Sequence, residues 1–198
     1  MEKIKNFFLY ILILVLYINK SYLYDVNIKN DHDTMENFGV YVNNEINKHV
    51  DENEIVFHFD KENYLITSNE NNEFNWVQTL IFQSTNGTNI DFQNKANNKL
   101  VFHINIDINN KKLIFKNINF KNFGKYNYGL LHFAFNNNNS NNYQIEFENC
   151  SFDNIKSSII YVSFSYYINQ FTKPQIKFTN CHFRYNLYNN CFINNNNI

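Results

Sequence analysis

An all-β solenoid of stacked parallel coils is what this sequence predicts, and three observations predict it. An eight-residue pattern recurs as Leu113–Phe120, Ile145–Phe152 and Ile176–Phe183, at spacings of 32 and 31 residues. Self-similarity at such a period marks coils that bury their apolar face against the next coil. Within each copy apolar and polar residues alternate with period two, the pattern of a short strand with one buried face. No convincing amphipathic helix lies between the copies, which turns the reading away from helical repeats.

Taken in chain order, the elements begin with a leader. Lys3 and Lys5 precede the apolar run Phe7–Ile18, too short for a comfortable bilayer span. Residues 1–22 therefore read as a signal peptide cut between Ser21 and Tyr24, with an uncleaved anchor as the rival, and the mature chain is expected to be secreted. No other stretch is apolar enough to span a membrane. Residues 23–74 read as an N-terminal cap, with strands at Ile55–Phe59 and Tyr64–Thr67 and a short helix over Asp33–Val50. Residues 75–198 are the coils. A weaker fourth copy, Ile90–Asn94, lies 23 residues before Leu113.

Stacking the copies gives columns. Leu113, Ile145 and Ile176 form one, and Phe115, Phe147 and Phe178 the next. Asn117, Asn149 and Asn180 follow where the strand bends. Like residues at the spacing of about 4.8 Å interlock, and stacked amides bond along the stack, which satisfies polar groups facing a core. On the outward face Lys116 falls beside Glu148 and Glu146 beside Lys177, a check on register independent of the apolar columns. A second strand follows: Leu130–Phe135 answers to Ile159–Phe164, and Cys191–Ile193 continues it. Polar runs such as Asn136–Asn142 fit solvated turns. Cys150 and Cys181 share a column below Ile118, either as buried thiols, the favoured reading, or as a disulfide between coils. The chain runs out at Ile198 in mid-coil without a capping segment. That leaves two expectations, a truncated product or self-association through the C-terminal coil.

The recurring Ile-x-Phe-x-Asn-Cys-x-Phe pattern resembles the right-handed parallel β-helix family of pectate-lyase-like architecture. More narrowly, it is similar to the Asn-rich secreted β-helix proteins that lower eukaryotes carry in many copies. The resemblance covers residues 75–198 and implies the fold. The same fold carries many activities, so it implies no single one. Carbohydrate-active members use clustered carboxylates with a basic residue, as Ca²⁺ ligands or as acid and base.

Composition narrows the function further. The balance of 17 Lys+Arg against 18 Asp+Glu lacks the basic surface that nucleic acid requires, so no nucleic-acid partner is expected. Twenty-one Phe and 14 Tyr exclude a disordered chain. Asp91, Asp107, Glu146, Glu148 and Asp153 are the acids of the coils. Asp91 and Asp153 read as lying in different parts of theirs, so no catalytic residue is assigned. The six His are scattered, and Asp31-His32-Asp33 reads as a solvated loop, so no metal or cofactor is expected. Sequons mark Asn86 and Asn138 as glycosylation sites, whereas Asn149 reads as inward-facing and bare. Tyr126, Tyr128, Tyr161, Tyr166, Tyr167 and Tyr185 supply rings suited to stacking on sugars. The expectation is a secreted, non-catalytic protein that binds polysaccharide or cell-surface glycan. The alternatives are a divergent polysaccharide lyase or hydrolase, and an assembly protein.

Overall fold

The computed structural model describes residues 23–68, 70–95, 98–125, 129–136, 142–164, 176–184 and 192–196. The leader at 1–22 lies outside them. Strand β1 (Leu23–Asn27) is followed by helices α1 (His32–Glu36) and α2 (Phe38–Lys48). Each later turn of the chain carries two or three strands: β2 (Glu54–His58), β3 (Asn63–Leu65) and β4 (Asn72–Asn75); then β5 (Thr79–Asp91) and β6 (Leu100–Ile104); then β7 (Lys112–Phe123) and β8 (Leu131–Phe135). Next come β9 (Gln144–Glu148), β10 (Ser151–Ile155) and β11 (Ile160–Phe164), and finally β12 (Ile176–Thr179), β13 (His182–Arg184) and β14 (Phe192–Asn196).

All strand pairs are parallel and join a strand to its counterpart one turn away, so the fold is a parallel β-solenoid. One sheet runs β1-β2-β5-β7-β10-β13, with β9 and β12 alongside, and the other runs β14-β11-β8-β6-β4. The expected columns are the observed register: Leu113 faces Ile145 and Phe115 faces Phe147, and Ile176 and Phe178 follow. The second strand also pairs as expected, β8 with β11 and β11 with β14.

The interior is built from stacked phenylalanines. Phe57, Phe82, Phe115, Phe147 and Phe178 form one near-parallel column with ring centroids 4.8–5.3 Å apart. Phe120, Phe152 and Phe183 form a second, and Phe74, Phe102 and Phe133 a third on the opposite sheet. Edge-on contacts such as Phe115–Phe120 (5.6 Å) and Phe82–Phe102 (6.5 Å) lock the columns together, with the offset geometries that aromatic quadrupoles favour.

Three expectations change. The copy preceding Leu113 is not Ile90–Asn94 but Leu80–Gln83: Leu80 faces Leu113 and Phe82 faces Phe115, while Ile90 faces Phe120. The register jumps from Gln83/Lys116 to Thr88/Ile118, so β5 carries three extra residues that split its copy and disguise it. Second, the stack starts earlier than the repeats alone indicate. β1 and β2 are already rungs of the first sheet, inside the stretch read as a cap. Third, the Asn117/Asn149/Asn180 column does not face the core. These residues have φ of 56°, 52° and 53°, and the left-handed bend breaks the alternation, so the amides sit at the surface of the corner. Asn149 and Asn180 are exposed, and the residue after each Asn (Ile118, Cys150, Cys181) resumes the inner face.

Candidate functional site

The corner of the first sheet concentrates what the regular stack does not explain. Asparagine amides are laid along it in rows. Asn149 Nδ2 donates to Asn117 Oδ1 (3.2 Å), Asn180 Nδ2 donates to Asn149 Oδ1 (3.3 Å), and Asn117 Nδ2 donates to the Ser84 carbonyl (2.8 Å). A second row runs two residues beyond the bend. Asn119 Nδ2 donates to Asn89 Oδ1 (2.9 Å), Asn89 Nδ2 donates to Asn63 Oδ1 (2.8 Å), and the Ser151 hydroxyl donates to Asn119 Oδ1. A third row lies at the next bend, where Asn154 Nδ2 donates to Asn122 Oδ1 (2.8 Å) and Asn122 Nδ2 to Asp91 Oδ2 (2.9 Å), again at positive φ.

The three extra residues of β5 wall this corner. Thr85, Asn86 and Gly87 stand beside the rows and close a groove of about 370 Å³, lined also by Asn117, Asn119, Asn149 and Ser151. No lining residue ionises. An amide has two N–H groups and two acceptor lone pairs. Asn117, Asn119 and Asn149 each spend one N–H along the stack, so donor capacity remains for a ligand hydroxyl. On the other side of the same loop lies a hollow of about 650 Å³ lined by Phe59, Asp60, Lys61 and Glu62. A wider hollow of about 1090 Å³ between α2 and β4 carries Glu36, Glu70 and Glu73.

A charged column borders the amide rows on the same outward face. Asp91, Lys121, Asp153 and Arg184 are consecutive in register, following Leu65. This corrects the placement of Asp91 and Asp153 in different parts of their coils: they share one column, two rungs apart, with Lys121 between. Asp91 is held by the Gln93 N–H (2.7 Å) and by Asn122, whereas Asp153 Oδ1 is buried without a hydrogen-bond partner among the described residues. Of the expected charge pairs, Lys116–Glu148 forms at 3.6 Å, while Glu146 faces Lys177 in register but takes Lys112 at 2.9 Å.

On the second sheet His132 Nε2 lies 2.9 Å from Ser163 Oγ, on the next rung. Burial, reinforced by Lys99 and His103, pushes the imidazole down to about 4, so it is neutral at physiological pH. Tyr161 packs edge-on against the same ring (4.8 Å) and is only 5% exposed. A ring so enclosed offers no face to a sugar, which corrects its assignment to glycan stacking. Tyr126, Tyr128, Tyr166, Tyr167, Tyr185 and the sequon Asn138 lie outside the described residues. Asn86 is exposed, as its assignment as a sequon requires. Asn149 is exposed rather than inward, and its amide is occupied on both sides.

Cys150 and Cys181 are free thiols. Each Sγ reaches a carbonyl of the previous rung, Phe115 and Phe147 respectively, and burial pushes Cys150 up to about 12, a buried filler rather than a nucleophile. Asp31 is the N-cap of α1, accepting from the Thr34 N–H (2.8 Å), which holds its carboxyl below the usual range. Among the described residues no three His, Cys, Asp or Glu side chains gather as a metal cradle, and no helix is long and apolar enough to cross a membrane.

Comparison with family models, with curated proteins and with solved structures finds no match. The site therefore rests on its own geometry. The groove was not legible beforehand because its wall comes from the insertion that split the β5 copy.

Proposed function

We propose that this chain is a secreted, non-catalytic β-solenoid that binds neutral glycan in the amide-lined groove at the corner of the first sheet. The observation that carries the reading is a groove of ligand size in which every polar group is an amide, a hydroxyl or a backbone group and none ionises. Such a lining matches hydroxyl-rich, uncharged chains and supplies neither acid nor base. The leader-like residues 1–22 support placement outside the cell. Affinity electrophoresis of the folded protein through gels carrying plant, fungal and bacterial polysaccharides tests it, with reducing ends and unsaturated products assayed in parallel. Retardation without product, lost in Asn119→Ala and Ser151→Ala, is the expected result. No retardation on any neutral polysaccharide overturns the reading.

The charged column favours one second reading, a divergent polysaccharide hydrolase or lyase. Asp91 and Asp153 flank Lys121 on one outward face, the arrangement such chemistry needs. Product release that disappears in Asp153→Asn while the fold persists would decide for it.

A further inference from the structure

Of the chain's many asparagines, Asn86 alone precedes a glycine. The pair sits in the β5 insertion, where the ladders on both sides lapse. β2 pairs with β5 as far as Gln83, β3 resumes at Asn89, and β7 skips from Gln83 to Thr88. Asn86 is exposed, Gly87 has φ +87°, and nothing lies within 4 Å of where a Gly87 Cβ would stand.

We propose that Asn86 is a site of spontaneous deamidation that converts the neutral groove into an anionic one. The Gly87 backbone nitrogen attacks Asn86 Cγ. A C–N bond forms and closes a cyclic imide, the bond from Cγ to Nδ2 breaks, and ammonia leaves with the proton that the Gly87 nitrogen gives up. Water then opens the imide at either carbonyl, leaving aspartate or isoaspartate. Water is the one co-reactant. Glycine makes the attack easy because no side chain shields its nitrogen and its backbone turns freely. The ladder asparagines are built the opposite way. Asn117, Asn149 and Asn154 precede Ile or Cys, and each amide is tied into a row.

The product puts a carboxylate on the wall of a groove whose lining otherwise carries no charge. Deamidation at Asn86 also removes the sequon, so a glycan on Asn86 and the acidic form exclude one another.

The test is peptide mapping of the intact, folded chain after incubation at warm, mildly alkaline conditions, with isoaspartyl methyltransferase labelling as a second readout. The peptide holding Asn86 is expected to convert several-fold faster than those holding Asn117, Asn149 and Asn154. Methyl acceptance is expected to fall in both Gly87→Ala and Asn86→Gln, the latter a surface change that leaves the loop backbone alone. Asn86 remaining intact while other asparagines convert overturns the proposal, as does labelling that Asn86→Gln leaves unchanged. Because the readout is mass and methyl transfer, the result is independent of whether the groove takes glycan.

Discussion

Asn149 does two things at once. Its backbone holds φ 52°, and its amide donates to Asn117 while accepting from Asn180. The two contributions separate by substitution. Asn149→Ala keeps neither and is expected to cost about 2 kcal/mol, left-handed strain added to lost hydrogen bonds. Asn149→Gly tolerates the bend and is expected to cost about 1 kcal/mol. Urea unfolding of the two variants measures the difference, and equal losses would remove the conformational part of the account. His132 gives a pH prediction. Its folded pKa of about 4 lies below the ordinary value of 6.5, so the unfolded chain binds the proton first. Its contribution is intact above pH 6.5, falls as the pH drops from there toward 4, and is flat below. A melting-temperature profile should show that slope in the native protein and a shallower one in His132→Asn. The position of the asparagines was legible as a repeated column. Their outward placement was not, because a period-two reading has no place for one left-handed residue. The lowered basicity of His132 comes first from its burial between rungs and then from Lys99 and His103 nearby, none of which a local pattern announces.

The pairing of α2 with β4 is decided by what is missing from Gly39 and what is present at Asn43. A Cβ on Gly39 would stand 2.8 Å from the Glu73 nitrogen and 2.9 Å from Asn72 Cα, both backbone atoms that cannot swing aside. Gly39→Ala is therefore expected to push α2 off the strand and cost roughly 1–3 kcal/mol, read by urea unfolding. An unchanged midpoint would mean that the helix rides loosely. A short helix over Asp33–Val50 was legible, though the chain divides it into α1 and α2; in α2, Phe38, Val42 and Ile46 are buried at four-residue intervals along one face. Its seat was not, since glycine announces close approach without naming the neighbour. β5 shows the converse. Its apolar columns were present in the sequence, but three inserted residues part Leu80–Gln83 from Thr88–Asp91, so Ile90, which faces Phe120, took the place of Leu80 as the apparent match to Leu113.

Across the molecule, each ring column gives stability by nearest-neighbour contact, as in other one-dimensional folds. Phe147 is 1% exposed, stacked on Phe115 at 5.1 Å and on Phe178 at 4.8 Å. Phe147→Asp is expected to cost about 3 kcal/mol or more, since it removes two stacks and buries a charge. Circular dichroism through a urea series checks it, and a variant as stable as the parent would sink the stacked core. The solenoid was legible at this scale because stacking repeats the same physical demand on every rung, and repetition is visible in sequence. The groove was not, because it arises where repetition fails. One contact has a wider bearing. Asn43 Nδ2 donates to the Glu73 carbonyl (2.6 Å) and Asn43 Oδ1 accepts from the Asn75 N–H (2.8 Å), so a single side chain impersonates a neighbouring peptide group along β4, the last strand of its sheet. Polymer growth by strand addition needs a vacant row of such groups. Asn43 thus fills two places on that edge that a further strand would otherwise pair with, and Asn43→Ala is expected to leave the Glu73 carbonyl and the Asn75 N–H open to solvent or to another chain.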